Sequence, residues 1–308
     1  MSAVVNKSRQ RILSADTTGQ EVRHSASNLI AQTRERLNKG CSGPPDDYDE
    51  VVHQTRVDMK RLRSLWYLIQ PGLSTQEAAK LHQSAQRVAS SLSGARDLSV
   101  MLTTLGTLST ELSEDTLAAI QAEIRRCVDN AEVDRVALES ACRMLDQMEH
   151  QLGAVDWSSL MRWHIAQRLT QTGRKSHVLY RRASRVADVD ALHRWRKWVK
   201  VWMYQLQWLV PEASPAKKWM DLLKPLGSSL GNIHDVDILI ELLGRMAEPQ
   251  DRRIRMALVK DLQRQRQQNL IRVHELADRI YTKPPGRRCR NVIHQWLNVP
   301  REYRYCSL

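Results

Sequence analysis

Five basic or imidazole side chains lie within eleven positions of one predicted helix, in the segment VVHQTRVDMKRLRSLWYLI (51–69). They are His53, Arg56, Lys60, Arg61 and Arg63. At about 100° per residue, all but Arg61 share a sector of about 80°, and the apolar side chains fall on the opposite side. Lys and Arg each donate several N–H groups and carry a fixed charge, so this stripe predicts a surface that binds anions such as phosphate.

A row of Lys and Arg is more often a solvated helix face, paired with acids one turn away. Here acids are scarce, because Asp58 is the only Asp or Glu between residues 51 and 70. Like charges one turn apart repel by about a few tenths of a kcal/mol per pair. An anion that relieves this repulsion explains the stripe better than solvation alone.

The pattern recurs later in the chain, where LHRWRKWVKVWMYQLQW (192–208) aligns with VHQTRVDMKRLRSLWYL (52–68). The alignment pairs His53 with His193, Arg56 with Arg196, and Lys60 with Lys200. Downstream, LSGARDLSVML (92–102) aligns with LGNIHDVDILI (230–240), which pairs Asp97 with Asp235. The separation from histidine to aspartate is 44 residues in the first copy and 42 in the second. Two motifs in the same order predict an internal duplication, with repeats at about residues 16–150 and 151–300.

Helical periodicity runs through nearly the whole sequence, and β-branched runs bounded by turns are missing. The sequence therefore predicts an all-α fold of two related helical bundles. We expect a single domain at residues 16–300, between tails at residues 1–15 and 301–308. The predicted helices lie near residues 20–39, 49–70, 75–92, 95–112, 114–150, 157–186, 189–210, 215–245, 249–282 and 287–297.

The charge balance narrows the class of partner. Lys and Arg outnumber Asp and Glu by 47 to 34, a net charge of +13, which favours a polyanion such as nucleic acid or polyphosphate, or an anionic surface. No apolar run is long enough to predict a membrane span or a secretory signal, so we expect a cytoplasmic protein. The five cysteines show no C-x-x-C spacing and predict reduced thiols rather than a zinc site or disulfide framework.

The motifs together resemble the CHAD family, the conserved histidine α-helical domains. They are H-x-x-R-x-x-x-K-R-x-R with A-R-D-x-x-V, then L-H-x-x-R-K-x-x-K-x-x-x-Y with L-G-x-x-x-D-x-D. The resemblance implies two bundles related by a pseudo-two-fold axis, with basic helices lining a shared central groove or cavity. It also implies binding of inorganic polyphosphate and association with polyphosphate granules. Carried over by position, the polyphosphate-binding residues are His53, Arg56, Lys60, Arg61, Arg63, His193, Arg196, Lys197 and Lys200.

The sequence departs from the family pattern at three positions. Val201 and Met203 stand where family members often continue the second stripe with arginine, and Ser99 replaces the second aspartate of the first R-D-x-D motif. We therefore expect fewer phosphate contacts from the second half, or contacts from other helices. Further candidates are Arg174, Lys175, Arg181, Arg182 and Arg185, and, on the resemblance, Arg23 and Arg34.

Three aspartates follow the stripes, namely Asp97, Asp235 and Asp237. A carboxylate in such a place is a metal ligand, a general base, a helix cap or the partner of a stripe arginine. We favour structural support, because a paired carboxylate fixes a guanidinium without covering its outer N–H groups. We predict no metal ion and no cofactor.

Motifs that are absent from the sequence help to separate three classes of function. No P-loop, H-E-x-x-H or G-x-S-x-G motif is present, so we expect a binding protein rather than an enzyme. A nucleic-acid-binding protein using the same surface is the alternative, although no helix-turn-helix or ribonucleoprotein motif is found and most tryptophans fall on core faces. An accessory to phosphate-processing enzymes is a further alternative.

Overall fold

All regular structure that the computed structural model describes is helical. The described residues are 18–44, 48–92, 101–102, 104–106, 118, 120–122, 124, 135–186, 188–209, 217–245, 252–282 and 289. The long helices within them are α1 (Thr18–Ser42), α2 (Tyr48–Ile69), α3 (Thr75–Ser91), α4 (Arg135–Gly153), α5 (Arg162–Val186), α6 (Val189–Leu209), α7 (Lys217–Arg245) and α8 (Arg252–Tyr281). The predicted all-α class is confirmed for this part of the chain. None of its helices is long and apolar enough to cross a lipid bilayer.

The helices pack as two rings of four. In the first ring, α2 contacts α1 and α3, and α4 closes the ring by contacting both α3 and α1. In the second ring, α5, α6, α7 and α8 follow one another in the same way, and α8 contacts α5. The rings meet where α2 packs against α5 and α6. The helix that carries the first basic stripe therefore lies at the junction.

Local chemistry explains where α3 and α5 begin. At the start of α3, the Ser74 hydroxyl accepts from the backbone N–H of Glu77 at 3.2 Å, and the Ser74 backbone N–H donates to the Glu77 carboxylate at 3.0 Å. This is the capping box that the sequence predicts. The helix predicted from residue 157 instead begins at Arg162. A short 3₁₀ turn over Trp157–Ser159 precedes it, and an extended backbone at Leu160 (φ −80°, ψ 110°) separates the two.

One hydrophobic core continues through both rings. Its largest fully buried side chains include Trp66 of α2 and Trp195 and Trp202 of α6. These tryptophans pack the interior, as the periodicity of the two stripes predicts. Burial of the apolar face of α2 and α6 turns the opposite, basic faces of both helices outward from that core.

Candidate anion-binding site

Two basic side chains of α6 lie against glycines of α7. The Cε of Lys200 is 3.3 Å from the position of a Cβ built at Gly227, and the Nε of Arg196 is 3.8 Å from a Cβ built at Gly231. The lysine and arginine are one helical turn apart, and so are the two glycines. The missing side chain of Gly227 therefore leaves room for Lys200, whereas a Cβ at Gly231 would be in ordinary contact with Arg196.

Two imidazoles lie beside this row. The Nδ1 atoms of His193 and His234 are 3.3 Å apart, and the ring centroids are 4.5 Å apart. Lys60 of α2 is close enough for its charge to lower the pKa of His234. We call the set formed by Lys60, His193, Arg196, Lys200 and His234 the basic site. Helices of both rings thus contribute to it.

The positive charges of the basic site destabilise one another. Burial lowers the pKa of Arg196 and of Lys200, and the charge of Arg196 lowers the pKa of Lys200 further. Burial, together with the neighbouring positive charges, lowers the pKa of His234 to about 4. The carboxylate of Asp235 acts in the opposite direction on the arginine and the lysine. A bound anion would favour the charged form of every one of these groups.

One donor in the basic site has no acceptor within the part of the chain that the structure describes. The Nε of Arg196 is buried and makes no hydrogen bond to any described residue. A buried N–H without a partner costs about 1–3 kcal/mol. A phosphate oxygen beside the guanidinium would accept this hydrogen bond and supply the missing interaction.

The first stripe divides between two neighbouring helices. Nη1 of Arg56 donates to the carbonyl oxygens of Ala89 and Leu92, both at 3.1 Å, and so satisfies the last turn of α3. Arg63 also lies near α3. Burial lowers the pKa of His82 on that helix, and the charge of Arg63 lowers it further. Lys60 instead lies near α7. Side chains that share one sector of α2 therefore serve different neighbours.

Arg61 lies on another side of α2, as the helical periodicity predicts. Its Nη1 donates to Asp58 at 3.2 Å, and Nη1 of Arg36 donates to the same carboxylate at 2.7 Å. The guanidinium of Arg61 also lies 5.6 Å from the ring centroid of Trp208. These contacts hold Arg61 at the packing of α2 against α6.

Two comparisons with known proteins identify the fold family. A family model described as CHAD domain matches residues 28–244. The chain belongs to the CHAD family. The crystal structure of the CHAD domain from the plant Ricinus communis is similar, with a TM-score of 0.54 and 20% sequence identity over 92% of this chain and 93% of that chain. This likeness shows the CHAD fold, and the resemblance seen in the sequence is confirmed. Among curated proteins, no sequence matches that of this chain.

The other candidates of this CHAD domain are distributed over several surfaces. Nζ of Lys175 lies 4.0 Å from the ring centroid of Trp198, and Arg34 of α1 pairs with Asp146 of α4 at 2.8 Å. His53 is half-buried on α2 and Lys197 is exposed on α6. The exposed candidates on the remaining helix faces are Arg23 on α1 and Arg174, Arg181, Arg182 and Arg185 on α5.

The aspartates of this CHAD domain differ in their surroundings. Asp237 accepts a hydrogen bond from Nε of Arg266 at 2.6 Å, so its partner lies on α8 and not in a basic stripe. Asp235 lies close enough to the basic site for its charge to raise the pKa of Arg196 and of Lys200. Asp97 lies outside the described residues. Among the residues that are described, no three His, Cys, Asp or Glu side chains are grouped to hold a metal ion.

Sequence reasoning did not assign His234 to the site, and it did not predict the contacts of Arg168. In the aligned repeats, His234 takes the place of Arg96, and this substitution is the signal that could have identified it. Arg168 of α5 lies 4.5 Å from the ring centroid of Tyr67 and donates to Oε1 of Gln70 at 3.3 Å. Its position depends on the packing of α5 against α2, which no local motif encodes.

Proposed function

We propose that this CHAD domain binds inorganic polyphosphate at the basic site and does not transform it. The observation that carries the proposal is the lowered pKa of neighbouring cationic groups around a buried guanidinium donor that has no acceptor among the described residues. Such an arrangement costs free energy while the site contains no anion. A linear polyanion supplies both the missing acceptor and the compensating charge.

Each type of side chain has a distinct part in the proposed binding. Arg196 offers a planar fork that matches two phosphoryl oxygens, whereas Lys60 and Lys200 offer compact charges that adapt to neighbouring phosphates. The two imidazoles add N–H donors. Because binding removes mutual repulsion in the folded state alone, we expect polyphosphate to raise the thermal unfolding temperature.

We further propose that the two rings arise from an internal duplication and face a shared groove. The cyclic packing of α1 to α4 and of α5 to α8 supports this proposal. So do the corresponding contacts of the aligned arginines, since Arg56 reaches the last turn of α3 and Arg196 lies beside Gly231 of α7. Lys60 from the first ring and the other members of the basic site from the second would then meet across that groove.

The aromatic side chains near the stripes favour polyphosphate over nucleic acid. Trp195 and Trp202 are buried in the core, and the ring of Trp198 is covered by Lys175 and contacts Tyr67 with ring centroids 5.0 Å apart. These rings are engaged in packing, whereas proteins that bind single strands expose aromatic side chains on which bases stack. The basic site itself offers donors and charge, which phosphate satisfies without a base.

A competition experiment tests this proposal. Labelled polyphosphate bound to the full chain is displaced by unlabelled polyphosphate, duplex DNA or single-stranded RNA at equal phosphate concentration and physiological salt. We expect polyphosphate to compete best, and its affinity to fall steeply as salt rises, because each neutralised phosphate releases counterions. Tighter binding of either nucleic acid would instead favour the nucleic-acid-binding alternative.

Association with polyphosphate granules in the cytoplasm follows from this proposal, because the ligand is concentrated there. A fluorescent fusion should colocalise with granules in cells that accumulate polyphosphate, and the same fusion with the basic site neutralised should not. Equal colocalisation of both fusions would contradict the granule proposal.

A further inference from the structure

The two imidazoles of the basic site face each other through the same type of atom. Nδ1 of His193 and Nδ1 of His234 are 3.3 Å apart, with the ring planes inclined by 59°. In a neutral pair, one Nδ1 carries the proton and donates to the other. If both rings are protonated, two N–H groups point at each other and the contact becomes repulsive. The pair therefore holds one shared hydrogen bond only while at least one ring is neutral.

The surroundings of the pair favour the neutral form. Burial is the largest cause that lowers the pKa of His193. The charges of Arg196 and Lys197, also on α6, lower it further, and the charge of Asp190 raises it. Lys60 approaches from α2, and Asp235 lies next to the pair on α7. Asp188, which directly precedes α6, accepts from the backbone N–H of Ala191 in the first turn of that helix, and Arg266 of α8 is paired with Asp237 of α7.

We propose that the His193–His234 pair binds a phosphate oxygen and takes up a proton from solvent as it does so. This inference rests on the proposed polyphosphate binding and assigns His234 as a further binding residue. Hydrogen bonds to phosphate replace the hydrogen bond between the two rings, because each imidazole can then donate to a phosphate oxygen instead of to the other ring. The negative charge of the phosphate also favours the imidazolium form, so the pair takes up a proton from solvent as the anion binds.

The sign of the resulting pH dependence follows from linkage. In the free protein, the pKa of His234 is about 4, against an ordinary value of 6.5, and a bound anion raises it. The complex then holds more protons than the free protein at every pH between the two pKa values. Affinity should rise as pH falls through that window, by up to about tenfold per pH unit for each proton taken up. The gain should end near pH 4, where the free protein is already protonated.

Isothermal titration calorimetry counts these protons directly. The full chain is titrated with long-chain polyphosphate at one pH and one ionic strength, in several buffers that differ in their enthalpy of ionisation. Long chains are chosen because terminal phosphates, which titrate near neutral pH, are then few. We expect the observed enthalpy to depend on the buffer with a slope that corresponds to about one proton taken up. Affinity should also increase from about pH 7.5 to about pH 5.5.

Two variants separate the pair from other histidines. His234→Asn keeps a donor near the Nδ1 position and removes the titration, so proton uptake should fall towards zero and the affinity should become nearly independent of pH. The control is His164→Asn on α5, where burial alone lowers the pKa and asparagine retains an acceptor for the backbone N–H of Met161. The control should keep the proton uptake of the unmodified protein. His193→Asn, at an exposed position, repeats the test if the first variant fails to fold.

The outcomes separate this inference from the function on which it rests. Binding without proton uptake, or the same uptake in His234→Asn and in His193→Asn as in the unmodified protein, would overturn the inference and leave polyphosphate binding intact. Absence of polyphosphate binding at every pH would overturn the proposed function itself, and the inference with it.

Discussion

Lys200 occupies space that Gly227 leaves open on α7. The Cε of the lysine is 3.3 Å from the position that a Cβ at residue 227 would take, which is tighter than an ordinary contact. We therefore expect Gly227→Leu to displace the lysine from the basic site and to weaken polyphosphate binding. A charge-assisted contact contributes about 1.5–3 kcal/mol, so the affinity should fall about ten- to a hundredfold in a fluorescence titration.

Gly244 provides the matched control on the same helix. A Cβ built there meets nothing within 4 Å, and Gly244→Leu makes the same change of side chain. Its polyphosphate affinity should equal that of the unmodified protein. Both leucine variants must be shown by thermal melts to be folded. Equal polyphosphate affinities would then mean that binding through Lys200 does not depend on Gly227.

A second prediction concerns the buried carboxylate of Asp58. It accepts from Arg36 and Arg61 and from the Thr33 hydroxyl at 3.2 Å, and is 3% exposed. Asp58→Asn should lower the free energy of unfolding by about 3 kcal/mol, the low end of the range for a broken buried pair, because both arginines remain partly exposed. Urea unfolding measures the change.

The exposed ion pair between Arg34 and Asp146 serves as the comparison for Asp58. Asp146→Asn should cost less than about 1 kcal/mol, since solvent screens the pair and the side chains lose little by separating. If the two asparagine variants lose the same stability, the buried carboxylate of Asp58 contributes no more than an exposed ion pair does.

A third prediction links stability to pH through His234. Its pKa is about 4 in the folded protein and near 6.5 when unfolded, so the unfolded chain binds more protons between these values. The titration of His234 therefore costs no stability above about pH 6.5. As pH falls from there towards 4, the free energy of unfolding decreases progressively. Urea unfolding at several pH values should therefore show a shallower loss for His234→Asn than for the unmodified protein.

His24→Asn, at an exposed position on α1, is the control for that titration. It should lose stability with falling pH as steeply as the unmodified protein. A His234→Asn curve parallel to that of the unmodified protein would contradict the assigned pKa.

The helical faces could be predicted from the sequence, because they depend on local periodicity. The 3.6-residue repeat separates Lys60 and Lys200 from the buried tryptophans, and Ser74 with Glu77 marks the start of α3 through chemistry contained in four residues. Both features need no knowledge of distant contacts. The resemblance to the CHAD family rests on the same local patterns and their order, and it is confirmed by the family match.

The partners of individual charges could not be predicted, because they depend on how helices pack. Arg266 resembles the other basic residues of α8 in the sequence, yet in the structure it pairs with Asp237 of α7. Arg56 shares its sector with Lys60, yet it donates to carbonyl groups at the end of α3. Neither contact follows from spacing along one helix, since both require the register between two helices.

A fourth prediction concerns the absence of catalysis and the part of Asp235. Its negative charge opposes anion binding in the basic site, so Asp235→Asn should strengthen polyphosphate binding by about two- to fivefold. Phosphate release from polyphosphate or nucleoside triphosphates should stay at background for both proteins, as measured by a colorimetric phosphate assay. Sustained release that Asp235→Asn abolishes would show that this carboxylate is catalytic.

We expect polyphosphate binding to depend on the basic site and not on diffuse positive charge. Lys60→Gln, Arg196→Gln and Lys200→Gln together should weaken binding by at least about a hundredfold, because each charge-assisted contact contributes about 1.5–3 kcal/mol. The control neutralises Lys260, Arg264 and Arg272, which are exposed on α8 and carry the same total charge.

The decisive measurement is a polyphosphate titration of these two triple variants and the unmodified protein at one ionic strength, with folding checked by circular dichroism and thermal melts. We predict that the control triple variant keeps an affinity within about fivefold of the unmodified protein, as expected for loss of long-range attraction alone. Equal losses of affinity in the two triple variants would contradict the assignment of the basic site.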